Sequence, residues 1–183
     1  FKSGDFISVI KVTTSIIEKN AKDNTALYMR GSARIEVGIS RMDGKMIRDG
    51  ITDAREALTA ASKPEFNYYL PYLYGMTNLT LIEGQVSHSA GSVKIATELL
   101  STATMTDEQK ANVMYQRGLA NNAGKKPADA VKDFRTAIGT NPKHLAAYMA
   151  LADTYAEAKQ TQQAIQAYSE AIRAFPTEPL IHN

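Results

Sequence analysis

Two stretches near the C-terminus, "ADAVKDFRTAIGTNP" (128–142) and "QQAIQAYSEAIRAFP" (162–176), align without a gap. Ala130, Phe134, Ala137 and Pro142 recur 34 residues later as Ala164, Tyr168, Ala171 and Pro176. Each stretch follows an amphipathic run, "ANVMYQRGLANNAG" (111–124) and "LAAYMALADTYAEA" (145–158), and here Gly118 and Ala152 are again 34 apart. Self-similarity at this period means one supersecondary unit repeated, because a single unit cannot bury its own apolar face and must stack on a neighbour. Apolar residues three to four and seven to eight places apart make the unit helical. Small residues at 118, 130, 152 and 164 let two antiparallel helices approach closely. Phe134 and Tyr168 fill the wedge where the helices splay, and Pro142 and Pro176 end the helix. The expected class is all-α, a solenoid of antiparallel helix hairpins.

Related windows occur at 4–20, 49–62 and 90–103. A 34-residue helix–turn–helix with Gly or Ala, then Ala, an aromatic, Ala and Pro at these offsets resembles the tetratricopeptide repeat (TPR), and the resemblance implies a right-handed TPR-like superhelix. In that register Gly31 and Gly75 take the first small position. Gly50, Ala54 and Ala57, and then Ser92, Ala96 and Leu99, take the later ones. Gly31 and Gly50 lie 19 apart where the regular repeats have 12, so a seven-residue insertion is expected in the hairpin turn around "ISRMDGK". Five extra residues fall near "GQVSHSAG" and four in "STATMTDEQK", also read as turn insertions.

The whole chain, 1–183, is thus one solenoid segment. Residues 1–23 form the second helix of a truncated repeat, 24–67 a repeat with a turn insertion, and 68–110 a repeat with insertions. Regular repeats follow at 111–144 and 145–178, and 179–183 open a further helix. With Phe1 first and repeats cut at both ends, the chain reads as a processed product or excised fragment. Its first helix carries Val9, Ile10, Ile16 and Ile17 and would expose an apolar face. A longer native chain would cover that face, and a dimer through the terminal helices is the alternative.

Composition argues against several function classes. There is no cysteine, hence no disulfide, Cys-ligated zinc or thiol catalysis within these residues. A net charge of +2 with no basic stripe gives no support for nucleic acid as partner. Apolar runs are too short for a membrane span. Nothing fixes a compartment, and the cytoplasm is the default expectation. His88, His144 and His182 are scattered and read as solvated, with no metal-ligand spacing. Asp49, Asp53, Asp107 and Glu108 read as helix-start and exposed charge. The glycines lack the phosphate-loop pattern, and the "NLT" sequon at Asn78 falls mid-helix. No catalytic constellation and no cofactor are expected, and the chain reads as non-enzymatic.

That leaves surfaces. The resemblance implies a concave groove lined by the first helix of each repeat. Carried over, it points to Thr25, Tyr28, Ser32, Ile35 and Glu36, then to Tyr69, Tyr72, Met76, Leu79 and Thr80. The regular repeats add Asn112, Tyr115, Leu119, Asn122 and Ala123, and finally Ala146, Met149, Asp153, Ala156 and Glu157. Tyr28, Tyr72, Tyr115 and Met149 stand where chaperone-binding members place a lysine that clamps a C-terminal carboxylate, so an EEVD-type tail is disfavoured. The tyrosine–methionine–leucine stripe suits a protein or peptide with apolar or aromatic anchors. The expected function is a protein–protein interaction scaffold. Alternatives are the regulatory or substrate-binding arm of an enzyme, or an RNA-binding helical repeat, which the balanced charge opposes.

The densest aromatic stretch, "NYYLPYLYGM" (67–76), divides in this register. Pro71 is expected in the first helical turn with Leu70 outside it, Tyr74 inward, and Tyr72 with Met76 in the groove.

Overall fold

The computed structural model describes residues 3–61, 66–84 and 86–176. Among the described residues there are nine α-helices and no strand. They fall into two compact units, residues 1–88 and 89–183.

The first unit holds α1 (Ser3–Lys19), α2 (Asn24–Ser40), α3 (Gly44–Ala60) and α4 (Phe66–Glu83). α2 and α3 form a hairpin, α1 packs on α2, and α4 packs on both members of the hairpin. The small residues explain how closely α2 and α3 cross. A Cβ at Gly31 would stand 2.9 Å from the Gly50 carbonyl oxygen, and one at Gly50 would stand 2.8 Å from that of Gly31. One turn from this crossing, Ile35, Ile47, Ile51 and Leu79 make the core, with Tyr72, Tyr74 and Met76 packed against it.

The extra residues of this hairpin are in its helices, not in its turn. The turn occupies 41–43, the same three-residue length as 124–126 and 158–160 in the other two hairpins. α2 runs nine residues past Gly31, where α6 and α8 run five past Gly118 and Ala152. α3 begins six residues before Gly50, where α7 and α9 begin three before Ala130 and Ala164. Each helix is therefore longer by about one turn, which preserves the pairing of the two faces. Gly38, seven residues after Gly31 and so on the same face, permits a second close crossing. A Cβ there would meet Ile47 Cγ1 at 2.7 Å.

α5 (Val86–Thr102) starts at the end of the first unit and lies mostly in the second, with α6 (Asp107–Ala123), α7 (Pro127–Thr140), α8 (Leu145–Glu157) and α9 (Thr161–Ala174). The other two expected turn insertions are also helical. α4 runs eight residues past Gly75 and α5 begins six before Ser92. α6 starts eleven residues before Gly118, and Thr106 caps it with a reciprocal Gln109 bond. α6 pairs with α7 and α8 with α9, while α8 also packs on α7 and α6. Phe134 is fully buried against Gly118, whose Cβ would lie 2.5 Å from its ring. Ala130, Leu151, Ala152 and Ala167 complete that core.

All three hairpin turns share one backbone form. The N–H groups of Asp43, Lys126 and Gln160 reach back to the carbonyls of Gly38, Asn121 and Tyr155 at 2.8, 2.9 and 2.9 Å. Those of Met42, Lys125 and Lys159 bond Ile39, Asn122 and Ala156. This is the Schellman stop, which needs a left-handed residue after the cap. Met42, Lys125 and Lys159 supply it at φ 54°, 62° and 58°.

Candidate functional site

On α2, Thr25, Tyr28, Met29, Ser32 and Ala33 share one helical face by their three- and four-residue spacing. This face floors a groove of about 470 Å³, walled by Phe6 and Val9 of α1 and by Asn67 and Tyr68 of α4. The Tyr28 and Tyr68 ring centroids lie 4.9 Å apart, tilted by 49°. The Ser32 hydroxyl donates to the Tyr28 carbonyl at 2.8 Å, so it offers an incoming group only an acceptor. Among the described residues no charged side chain lines the groove.

The cations of α2 are turned elsewhere. Arg30 donates through Nε and Nη2 to Asp53 at 2.9 and 2.7 Å, and Arg34 Nη1 donates to the same carboxylate at 2.7 Å. Asp53 is 3% exposed, which corrects its reading as exposed helix-start charge. A carboxylate this deep is tolerable only with such partners. The equivalent place in the second unit carries the same device. Arg117 bonds Asp133 through Nη2 at 2.6 Å and Nε at 3.1 Å, and Asn121 Nδ2 donates to it at 2.9 Å. Asp107 and Glu108 do sit in the first turn of α6.

The sequence-derived groove residues divide three ways. Thr25, Tyr28 and Ser32 line the groove together. Ile35 and Leu79, 1% and 2% exposed, belong to the core between α2, α3 and α4, as does Thr80, and do not line a surface. Tyr69, Tyr72 and Met76 are half-buried on α4, the last two packed on that core. The cluster around them also starts earlier than expected. α4 begins at Phe66, so Leu70 is helical and Pro71 sits in the second turn. Its missing N–H leaves the Asn67 carbonyl without its helical donor, at an exposed residue close to the helix start where the loss is small.

In the second unit Asn112 is exposed, and Leu119 packs half-buried against the Phe134 cluster. The Tyr115 ring lies 6.0 Å from that of Phe134 and 4.9 Å from that of His144. Asn122 Nδ2 donates to Glu157 at 3.2 Å, and Met149 packs beside Tyr148 and Ala171. Asp153 is exposed and accepts from the Tyr168 hydroxyl, a bond that with burial pushes the tyrosine pKa up to about 12. Several of these residues therefore serve contacts within the unit.

Two histidines are not the solvated side chains expected from sequence. His144 caps α8, its Nδ1 accepting the Ala147 N–H at 3.2 Å, and burial lowers its pKa below 6.5. His88 is half-buried, with Nδ1 unpartnered among the described residues. His182 lies outside the described residues. Sequence reasoning also missed Phe6, Val9 and Tyr68. The only signal for Phe6 and Val9 was the apolar face of α1, of which Val9, Ile10 and Ile17 are half-buried and Ile16 exposed. Among the described residues no group of three His, Asp or Glu is placed to hold a metal, and no helix is long and apolar enough to cross a membrane.

The family model described as tetratricopeptide repeat matches residues 113–179. Residues 113–179 are thereby identified as tetratricopeptide repeats. The fold of the whole chain is similar to that of solved TPR proteins at low sequence identity. MamA from Desulfovibrio magneticus RS-1 matches at TM-score 0.70 and 11% identity, over 96% of this chain and 89% of that one. TTC0263, a thermophilic TPR protein of Thermus thermophilus, matches at 0.68 and 13%, over 98% and 88%. YrrB, described as a TPR protein with an unusual peptide-binding site, matches at 0.63 and 14%, over 98% and 82%. No curated protein matches the chain in sequence.

Proposed function

We propose that this chain is a non-enzymatic interaction scaffold that holds a peptide or helix of a partner protein. The observation that carries the reading is the groove over α2, a concavity with a tyrosine pair at its wall and no charge among its described lining residues. Aromatic anchors beside small residues are what protein-binding hot spots are made of. The family and the peptide-binding site of YrrB support the same reading. A carboxylate-ended tail is disfavoured, because no cation among the described residues lines the groove and Arg30 and Arg34 are held by Asp53.

A photo-crosslinking residue placed at Thr25, exposed and within the groove, tests this in extract from the source cells. The same probe at Ile165 of α9, exposed and outside it, is the control. Adducts with a discrete protein at position 25 alone, lost on Tyr28→Ala, are expected. Adducts only at 165, or none that Tyr28→Ala removes, would refute the assignment.

A further inference from the structure

The groove also carries information about the shape and charge of its occupant. An extended peptide must find partners for its backbone N–H and C=O groups, since burying them unpaired is costly. Among the described residues the lining offers as polar partners only Thr25, Ser32 and Asn67, and the Ser32 proton is already committed to the Tyr28 carbonyl. No strand edge is available on helical walls. A helix arrives with its backbone bonds made and needs only an apolar face, which the Tyr28, Met29, Phe6, Val9 and Tyr68 surface matches. Small residues at Thr25, Ser32 and Ala33 leave room for a helix to approach α2 closely.

One end of this face is charged. Glu36 follows Ser32 by four residues, on the same side of α2 and roughly 6 Å further along its axis. The arginines of α2 are both held by Asp53, and Glu36 pairs with neither. Burial raises its carboxyl pKa, and its charge in turn helps raise that of Tyr74. Glu36 is an exposed carboxylate with no ion-pair partner among the described residues, and it stands one turn beyond a groove whose described lining is uncharged.

We infer that the occupant is an amphipathic helix whose uncharged apolar residues fill the cleft at Tyr28 and Tyr68, and which carries a lysine or arginine about two turns along to meet Glu36. This rests on the groove being the binding site, and it adds the occupant's conformation and the sign and place of its charge.

Selection from a displayed library of random peptides of about 16 residues tests it, using the whole chain as bait. Bait carrying Ser32→Trp, which fills the groove, serves for counter-selection. Thr25→Trp, at an exposed position, is a second blocked bait, and circular dichroism checks that both stay helical. Peptides enriched on the wild type alone should show apolar residues at i, i+3 or i+4 and i+7, with a basic residue seven or eight places on. Their affinity should fall about tenfold or more on either blocked bait. Proline introduced at the centre of a selected peptide should abolish binding. Glu36→Lys should weaken it about fivefold and be rescued when the peptide's basic residue becomes glutamate.

Period-two or proline-rich winners would overturn the helical occupant while leaving the groove as the site. Failure of the charge swap would overturn the role of Glu36 alone. Equal enrichment on wild-type and blocked baits would overturn the groove assignment itself.

Discussion

The hairpins α2/α3 and α8/α9 end in the same turn but are held together by opposite chemistry. At their matching interior positions the first has Arg30, Arg34 and Asp53, and the second has Leu151, Tyr155 and Ala167. The middle hairpin α6/α7, with Arg117, Asn121 and Asp133, belongs with the first. One backbone arrangement thus accepts either a buried ion pair or an apolar contact. Buried ion pairs gain little net stability over well-packed apolar groups, but breaking one strands a charge. The charged hairpins should therefore be the brittle ones.

Asp53→Ala should have the largest effect, because it leaves two guanidinium groups without their carboxylate. We expect a loss of about 3–5 kcal/mol, read from urea unfolding and from amide exchange in α2 and α3. The double change Arg117→Leu with Asp133→Ala copies α8/α9 and should cost far less than Asp133→Ala alone. Equal costs would show that the two hairpins are not interchangeable in this way. Gly31→Ala comes next, at about 1–3 kcal/mol. Its new methyl meets the backbone of Gly50 and Ala54, which cannot yield. At Gly118 the obstacle is the Phe134 ring, a side chain that can move, so Gly118→Ala should be milder.

The joint before α8 should respond to pH. Burial holds the His144 pKa below 6.5, so the unfolded chain takes up the proton first. The cap's contribution, about 1 kcal/mol, is whole above about pH 6.5 and is lost as pH falls through the folded value. Amide protection in the first turn of α8 should drop over that range. His144→Asn, which keeps an acceptor without titrating there, should remove the dependence. The smallest effect is expected at the turns. Met42→Gly or Lys125→Gly relieves a left-handed non-glycine residue and should raise stability by up to about 1 kcal/mol. The gain should match in the two hairpins, since their turns do.

The repeat was readable in the sequence because close helix crossings tolerate so few residues. Gly118, Ala130, Ala152 and Ala164 have no side chain to spare, and each is buried as that spacing requires. Counting between such marks gives how many residues lie between crossings, but not whether they coil. Seven residues are close to two helical turns, so a longer hairpin and a longer loop look alike from a spacing of 19. Gly38, seven residues after Gly31, was the missed cue. The groove was less readable. Ile35 and Leu79 occupy positions that the family register assigns to the cavity, yet here they close the core around Ile47 and Ile51. The wall supplied by Phe6 and Val9 depends on how α1 leans on α2, which periodicity does not encode. Asp53 looked like surface charge because its partners stand 23 and 19 residues upstream. The matching Arg117–Asp133 pair in the next hairpin was the available sign.

The common turn has a consequence for how such chains change in length. Since the stop signal reads only the last few residues of one helix and the first of the next, it is indifferent to how far the helices have already run. Inserted segments that restore the facing of both helices can slip in beside it unnoticed, as the four residues added to α2 and the three added to α3 do. A segment of five placed there would rotate one face away from its mate. Across natural variants of this hairpin, tolerated insertions and deletions should cluster at multiples of about seven residues, with the turn itself unaltered.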